Sequence, residues 1–472
     1  MNPSLYELIL SSSDPGFAAQ LRELRAGMLE AARLAGPDSE QNRTVVGILR
    51  DVGQRGDPAV AEYTKKFDSV ELEPSQFRIG PDELTYAHQS LDRTLLASLR
   101  KAIANVKAYQ EKIFIGRRSE FSQGTGIKYV PIRRAGVCVP GAAAPLPSTV
   151  IMTVVPAQVA GVQEIAVVSP PRYTGIMEYW NTGILGPQTQ HSNIPSFHDS
   201  KTRMVATIHP VILAVCHELG VAEVYRIGGV QAVGALAFGT QTITKVDKIV
   251  GPGNKWVQSA KKNVAGDYVG IDSIAGPSEV LVLANEQANP AWVAADMLSQ
   301  AEHGPDSSAI VLTDSEPLAR AILEQLGRQL ESLPRAADAT QSLRRFSRII
   351  VVGSMDDAIQ RANEFAAEHL EVQCGTCSRQ VAEKITSAGA VFIGPYTPVA
   401  VGDYWAGPSH TLPTGSRARF SSALTSNDFV KSISLIEYTA DQLAAAAGDI
   451  IHLAETEGLD AHARSVSIRR DG

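Results

Sequence analysis

The chain has 472 residues, 44% hydrophobic and 20% charged, with a formal charge of −7. That balance describes a soluble globular protein of about two to four domains. A mildly acidic chain lacks the basic patches that attract nucleic acid or anionic membrane, and no apolar run approaches the ~18 residues of a membrane span. The amino-terminal MNPSLYELILSSSDPG has no basic start, apolar core and small-residue cleavage site, so a cytoplasmic location is expected. Four cysteines in so long a chain do not form a disulfide framework. Cys374 and Cys377 stand as C-x-x-C, but no second metal-binding half accompanies them. They read as a reduced loop.

From Pro15 to about Leu99 the pattern is helical, with Val45, Ile48, Leu49 and Val52 and then Val60, Tyr63 and Phe67 at three- and four-residue steps. Gly56-Asp57-Pro58 separates two of these helices, and another is expected over 95–113. Nothing here carries chemistry; it reads as packing and interface. Beyond Arg134 the style changes. A strand over 136–140 ends in glycine-rich turn residues, and Ser148 is placed to cap the helix that follows. Strands are then expected at 164–169, 223–227 and 248–250, separated by helices at 209–219 and from Gln231 to Phe238. Strands alternating with helices of this length indicate parallel βαβ units. The alternation resumes at Val280 and continues through strands at 309–312, 349–352 and 391–393.

The expected fold is therefore α/β, with two doubly wound Rossmann-like parallel-sheet domains in tandem and small helical segments at both ends. The expected boundaries are an arm over 1–24, a first α/β domain over 25–137 with 280–420, and a second over 138–279. A helical tail over 421–472 completes the chain and includes a helix at 429–435. The stretch 173–205 is rich in Gly, Pro, Thr, Gln, Ser and Asn and interrupts a βαβ unit as an insertion. Its His191 and His198 are given no function.

Chemistry-bearing residues collect in a few places. Gly228-Gly229-Val230-Gln231 and Gly251-Pro252-Gly253-Asn254 each follow a strand and open a helix. Such turns let a phosphate approach the backbone, and they equally suit simple tight connections; neither is G-x-G-x-x-G. In the stretch from Gly276 to Pro305, Asn289 is expected to cap a helix opened by Pro290. The last turn of that helix would hold Gln300, Glu302 and His303. Gln300 and His303 share a face and can bind one cation, although alone they read as a helix end. Glu368-His369 supplies adjacent proton-handling groups. Asp403 and His410 sit in a loop dense in Gly and Pro, as near a ligand. Asp403, Gln300, His303 and one further nitrogen suit a divalent ion such as zinc.

Several strings resemble the histidinol dehydrogenase family: KVDKIVGPGN, GIDSIAGPSEVLVLAN, VAADMLSQAEHGPDS, AAEHLEV, VGDYWAGPSHTLPTG and EGLDAHARSV, with RDVGQRGDPAVAEYTKKFD near the amino terminus. The resemblance spans nearly the whole chain outside 173–205. It implies two successive NAD-dependent oxidations that take L-histidinol through the aldehyde to L-histidine, the end of histidine biosynthesis. It implies zinc held by Gln300, His303, Asp403 and His462, and a substrate surrounded by Ser278, His410, Glu457, His369 and the zinc ligands. His369 becomes the general base, Glu368 the group that activates water, and Gln231 and Asn254 contacts of NAD. It also implies a homodimer of intertwined subunits whose tails complete each other's sites. The family's common Tyr-Val-Pro-Gly-Gly is here Cys138-Val139-Pro140-Gly141-Ala142, so no aromatic lies against the cofactor at position 138. Two rival readings follow from the same residues. One is a related zinc- and NAD-dependent dehydrogenase of another small hydroxylated substrate, such as a sulfonated diol. The other is a non-catalytic metal- or nucleotide-binding protein.

Overall fold

The computed structural model describes residues 7–117, 120–141, 145–175, 196–199 and 202–470. By compactness the chain divides into two units: Met1–Ile113 with Ile132–Phe429, and Phe114–Pro131 with Val430–Gly472.

The first unit holds two parallel sheets. The five-stranded sheet has the order β11 (Gly270–Ile271), β10 (Lys248–Val250), β4 (Arg134–Cys138), β5 (Glu164–Val168), β9 (Glu223–Tyr225). The six-stranded sheet runs β1 (Ile9–Ser11), β14 (Arg348–Val351), β13 (Ser308–Thr313), β12 (Glu279–Ala284), β15 (His369–Gln373), β16 (Ala390–Ile393). Counted within each block, both follow the Rossmann order 3-2-1-4-5, as expected of tandem doubly wound domains. The six-stranded sheet gains β1, a strand from the amino-terminal arm that the helical reading missed. β12 and β13 are buried along their full lengths, because helices cover both faces, and so they read as continuous apolar runs without alternation. Each buried Val, Leu or Ile there contributes about 1.5–3 kcal/mol.

Helix Glu40–Arg55 begins where Ser39 Oγ accepts the Asn42 amide at 3.1 Å. It buries Val45, Ile48, Leu49 and Val52 in the same core as β5, β9 and β10. The expected division grouped residues 25–137 with the metal-binding block; this helix and part of the next, Asp57–Asp68, instead pack with the five-stranded sheet. The starts of three neighbouring strands are tied by Arg134, whose buried guanidinium bonds Glu164 at 2.8 Å and Glu223 at 2.5 Å. The helix expected to follow a Ser148 cap begins two residues earlier, at Pro147 after Leu146, with no side-chain cap: proline's fixed φ opens it instead.

An antiparallel sheet of β6 (Arg172–Gly175), β8 (Thr202–Thr207) and β7 (Ser196–Asp199) frames the inserted stretch. His191 lies outside the described residues.

The second unit is built on β2 (Glu120–Ser122), β3 (Thr125–Pro131) and β17 (Val430–Ile436), with helices Ala440–Thr456 and Asp460–Arg470. The helix expected over 429–435 is thus strand β17, paired antiparallel with β3 from Val430↔Pro131 to Ile436↔Thr125. Its alternating VKSISLI is a strand pattern, and partnership with a distant segment decides it. Among the described residues, no helix is long and apolar enough to cross a membrane.

Candidate functional site

The carboxyl edge of the five-stranded sheet opens into a cleft of about 760 Å³, lined by the turns after β4, β5, β9 and β10. It sits at the switch point between β4 and β10, where open α/β sheets bind ligands. The turn after β10 is tightly specified. Gly251 has φ +106°, and a Cβ there would come within 2.3 Å of the Cys138 carbonyl oxygen. Buried Lys261 and Asp272 form an ion pair that clamps this turn, with Lys261 Nζ donating to Gly251 O at 2.9 Å and Gly251 N–H donating to Asp272 Oδ2 at 2.7 Å. Asn254 caps helix Lys255–Val264, its Oδ1 accepting the Trp256 and Val257 amides, each at 3.1 Å. Its NH2 group remains a donor. Gln231 is fully buried in the first turn of helix Gly229–Phe238, with Oε1 unpartnered. Cys138 lines the cleft with a thiol that burial pushes up to about 12, so it is a neutral, small apolar wall.

A second cleft of about 340 Å³ shares Gly253 and Asn254 with the first and is also lined by Ser278 and His303. These residues lead to the amino edge of the six-stranded sheet. Here helices that descend antiparallel to the strands deliver their carboxyl ends. Helix Pro290–Ala301 has the expected Asn289 cap, accepting from the Ala291 amide at 2.9 Å. It ends at Ala301, so Gln300 is in its last turn, buried, while His303 lies in the turn just beyond. The expectation that both sit on one helical face is corrected accordingly: Gly304-Pro305 stops the helix earlier than the pattern suggests. Helix Val399–Tyr404 carries Asp403.

β15 begins at His369, and β12 at Glu279 beside it. Residue 279 holds the Glu368-His369 pair by three bonds. Glu279 N–H donates to Glu368 Oε2 at 2.9 Å, and the Glu368 amide donates to Glu279 Oε2 at 3.3 Å. His369 Nδ1 meets the Glu279 carbonyl at 2.9 Å, which makes Nδ1 the protonated nitrogen. Nε2 of His369 is then left buried without a hydrogen bond, 3.5 Å from Asp403 Oδ1. Burial pushes the Glu368 carboxyl up to about 8 and that of Glu279 to about 7. Burial alone would lower His369, but the Glu368 carboxylate and Asp403 outweigh it and raise the imidazole to about 9. His303 is exposed on the cleft side; protein packed behind it lowers its pKa, with Asp403 opposing. Burial likewise lowers His410, whose Nε2 has no partner, and Asp403 and His369 are its electrostatic neighbours.

The first unit thus brings Ser278, Gln300, His303, Glu368, His369, Asp403 and His410 toward one edge, and Gln231 and Asn254 to the adjoining cleft. Glu457 and His462 belong to the second unit. Glu457 follows helix Ala440–Thr456, Gly458 breaks the chain, and His462 is in the first turn of the next helix; both side chains are exposed. Among the described residues of this one chain, no three His, Cys, Asp or Glu side chains group as a metal centre. The donors present nevertheless fit a borderline divalent ion. Gln300, His303 and Asp403 supply a carboxamide, an imidazole and a carboxylate from elements that end at this edge, where Nε2 of His369 and of His410 are buried without partners, and helix carboxyl ends favour a cation. Cys374 is buried, with a thiol pushed up to about 12 by burial, and Cys377 is exposed; both are free.

Sequence reasoning missed Glu279 and Asp68. The only signal for Glu279 was a carboxylate opening an otherwise wholly apolar strand. For Asp68, a helix-ending acid lining the first cleft, there was none.

A family model described as Histidinol dehydrogenase matches residues 32–181 and 200–470, leaving out much of the inserted stretch. Histidinol dehydrogenase of Thermosynechococcus vestitus is 41% identical over 455 residues, 95% of this chain and 98% of that protein. That of Geobacillus kaustophilus is 40% identical over 95% of this chain and 99% of its own. A crystal structure of histidinol dehydrogenase from Elizabethkingia anophelis superposes with a TM-score of 0.83 at 35% identity, covering 98% of this chain and 97% of that one. With this family model and these relatives matching along nearly its full length, the chain belongs to the histidinol dehydrogenase family.

Proposed function

We propose that the protein oxidises L-histidinol to L-histidine through the aldehyde, with two NAD molecules accepting hydride in turn. The observation that carries this reading is the buried Nε2 of His369, which has no hydrogen bond while Nδ1 donates to the Glu279 carbonyl; in the neutral imidazole, populated as pH rises towards about 9, Nε2 is the basic nitrogen. The nicotinamide end of NAD lies at Gly253-Asn254, where the two clefts meet. The pyrophosphate lies over the glycine turns, where helix amino ends favour anions. Asn254 donates through its free NH2, and Gln231 accepts through its unpartnered oxygen.

In the first oxidation His369 Nε2 takes the hydroxyl proton while hydride leaves the carbinol carbon. The aldehyde is then hydrated: Glu368 accepts a proton from water as its oxygen adds to the carbonyl carbon, and protonated His369 gives its proton to the carbonyl oxygen, which frees Nε2 for the second oxidation while Glu368 later releases its proton to solvent. A buried carboxyl with a raised pKa is suited to exchanging that proton near neutrality. The hydrate loses its second hydride with His369 again taking the proton. Gln300, His303 and Asp403, with His462 of the partner subunit, would hold zinc. Zinc has no redox role and when bound supplies a polarising contact for the substrate imidazole and amine. Ser278 and His410, with Glu457 of the partner subunit, complete the substrate's surroundings. This reading implies a homodimer of intertwined, cytoplasmic subunits. The five-stranded sheet serves the cofactor, and the six-stranded sheet serves metal and proton transfer.

Counting NADH per L-histidinol tests the reaction: two per substrate, lost on chelation and restored by zinc, are expected. Turnover of a sulfonated diol without turnover of histidinol would replace this reading with the paralogue, and no turnover of either with the non-catalytic one. Glu368→Gln should spare the first oxidation far more than the second. Equal loss in both, measured with histidinol and with the aldehyde, would overturn the roles of the pair.

A further inference from the structure

Of the described residues lining the cofactor cleft, Asp68 alone carries a charge. It ends helix Asp57–Asp68, and burial pushes its carboxyl up to about 6, with no cation offsetting it. Gln231 Nε2 approaches Asp68 Oδ2 at 3.5 Å, a long contact, and Gln231 Oε1 is buried and unpartnered. A carboxylate and a carboxamide oxygen therefore stand together with acceptor capacity unused. Such a pair accepts from hydroxyl groups and repels phosphate.

Their place along the cleft says which hydroxyls these would be. The lining turns follow the strand order β10-β4-β5-β9. At the β10 end, Gly253 and Asn254 also line the cleft of Ser278 and His303, so hydride leaves there. Gln231, and Asp68 with it, stand at the β9 end. Three strand spacings separate the two, roughly 14 Å. An extended dinucleotide with its nicotinamide at β10 crosses its pyrophosphate over the middle turns and sets its second ribose at β9.

We infer that Asp68, with Gln231 beside it, accepts from the ribose hydroxyls of the adenosine half and excludes dinucleotides that carry a 2′-phosphate. This rests on the cofactor reading above. Asp68 is then the residue that selects NAD over NADP, by attraction to the diol and by repulsion of the phosphate.

The test uses zinc-loaded protein and its Asp68→Asn and Asp68→Ser variants. Turnover is measured with NAD and NADP on histidinol, and binding by fluorescence titration with NADH and NADPH. The unmodified protein should prefer NAD strongly. In Asp68→Ser the preference should fall by about tenfold or more, with the KM for NAD rising and that for NADP falling. Asp68→Asn keeps the shape without the charge and should give the same direction if the serine variant folds poorly. An unchanged preference in folded variants, or equal binding of NADH and NADPH by the unmodified protein, would overturn this inference alone. Binding of neither would overturn the cofactor reading and this inference with it.

Discussion

The five-stranded and six-stranded sheets share a strand order but present opposite edges to the two clefts. In the five-stranded sheet it is the carboxyl edge, where the turns after β9 and β10 are followed by helix amino ends. In the six-stranded sheet it is the amino edge, where β12 and β15 start and helices Pro290–Ala301 and Val399–Tyr404 finish. The helix dipole gives these edges opposite character: amino ends favour an anionic pyrophosphate, carboxyl ends a cation. One topology can therefore serve both a dinucleotide and a metal, provided the two edges meet, and they meet at Gly253-Asn254.

If the edges divide the work in this way, they should fail separately. The largest effect is expected from His369→Asn at the six-stranded edge. Turnover should fall by about 10²–10⁴, while NADH titration shows an unchanged dissociation constant. Loss of dinucleotide binding in this variant would break the division. Gly251→Val attacks the other edge. Its Cβ would meet the Cys138 carbonyl at a left-handed φ, at a cost of about 1–3 kcal/mol in stability. Dinucleotide affinity should drop while bound zinc, measured by atomic absorption, is retained.

A smaller effect is expected at Glu279. Glu279→Gln turns an NH2 toward one of two backbone donors, the amides of Glu368 and Gly415. It should cost about 1–3 kcal/mol in stability and slow the aldehyde step more than the alcohol step. Equal slowing of both would mean that Glu279 supports the strand but does not position Glu368.

The smallest effect concerns the carboxyl pair beneath the same edge. Asp296 and Glu371 are both raised by burial, and Gln373 Nε2 bridges them at 2.7 and 2.9 Å. Because the folded-state values are raised, the pair's contribution is complete at acid pH and is lost as pH rises through those values. Thermal melts should show Tm falling as pH rises above the ordinary carboxyl range of about 4, with a flatter profile in Asp296→Asn. A profile unchanged by that substitution would remove the pair as the cause.

Much of the fold was legible because its signals are local. Apolar runs mark β12 and β13, Asn289-Pro290 marks a helix start, and glycine turns mark the edge that opens into the larger cleft. β17 was not legible: its identity as a strand depends on β3, some three hundred residues away in sequence. For the same reason β1 was missed, since three residues in an arm become a strand only beside β14. At the site, residue types and motif strings named Glu368, His369, Gln300, His303 and Asp403, but no spacing rule joined them. Their convergence needs two helices to run back along a sheet.

The sequence by itself determined the α/β alternation, the turns that approach a ligand, and the proton-handling and metal-ligating side chains available, because each depends on neighbours within a few residues. Tertiary structure alone decided which edge of each sheet opens to a cleft, that Glu279 holds the Glu368-His369 pair, and that Asp68 lines the larger cleft. These are contacts between segments far apart in the chain, and only packing brings them within a hydrogen bond of one another.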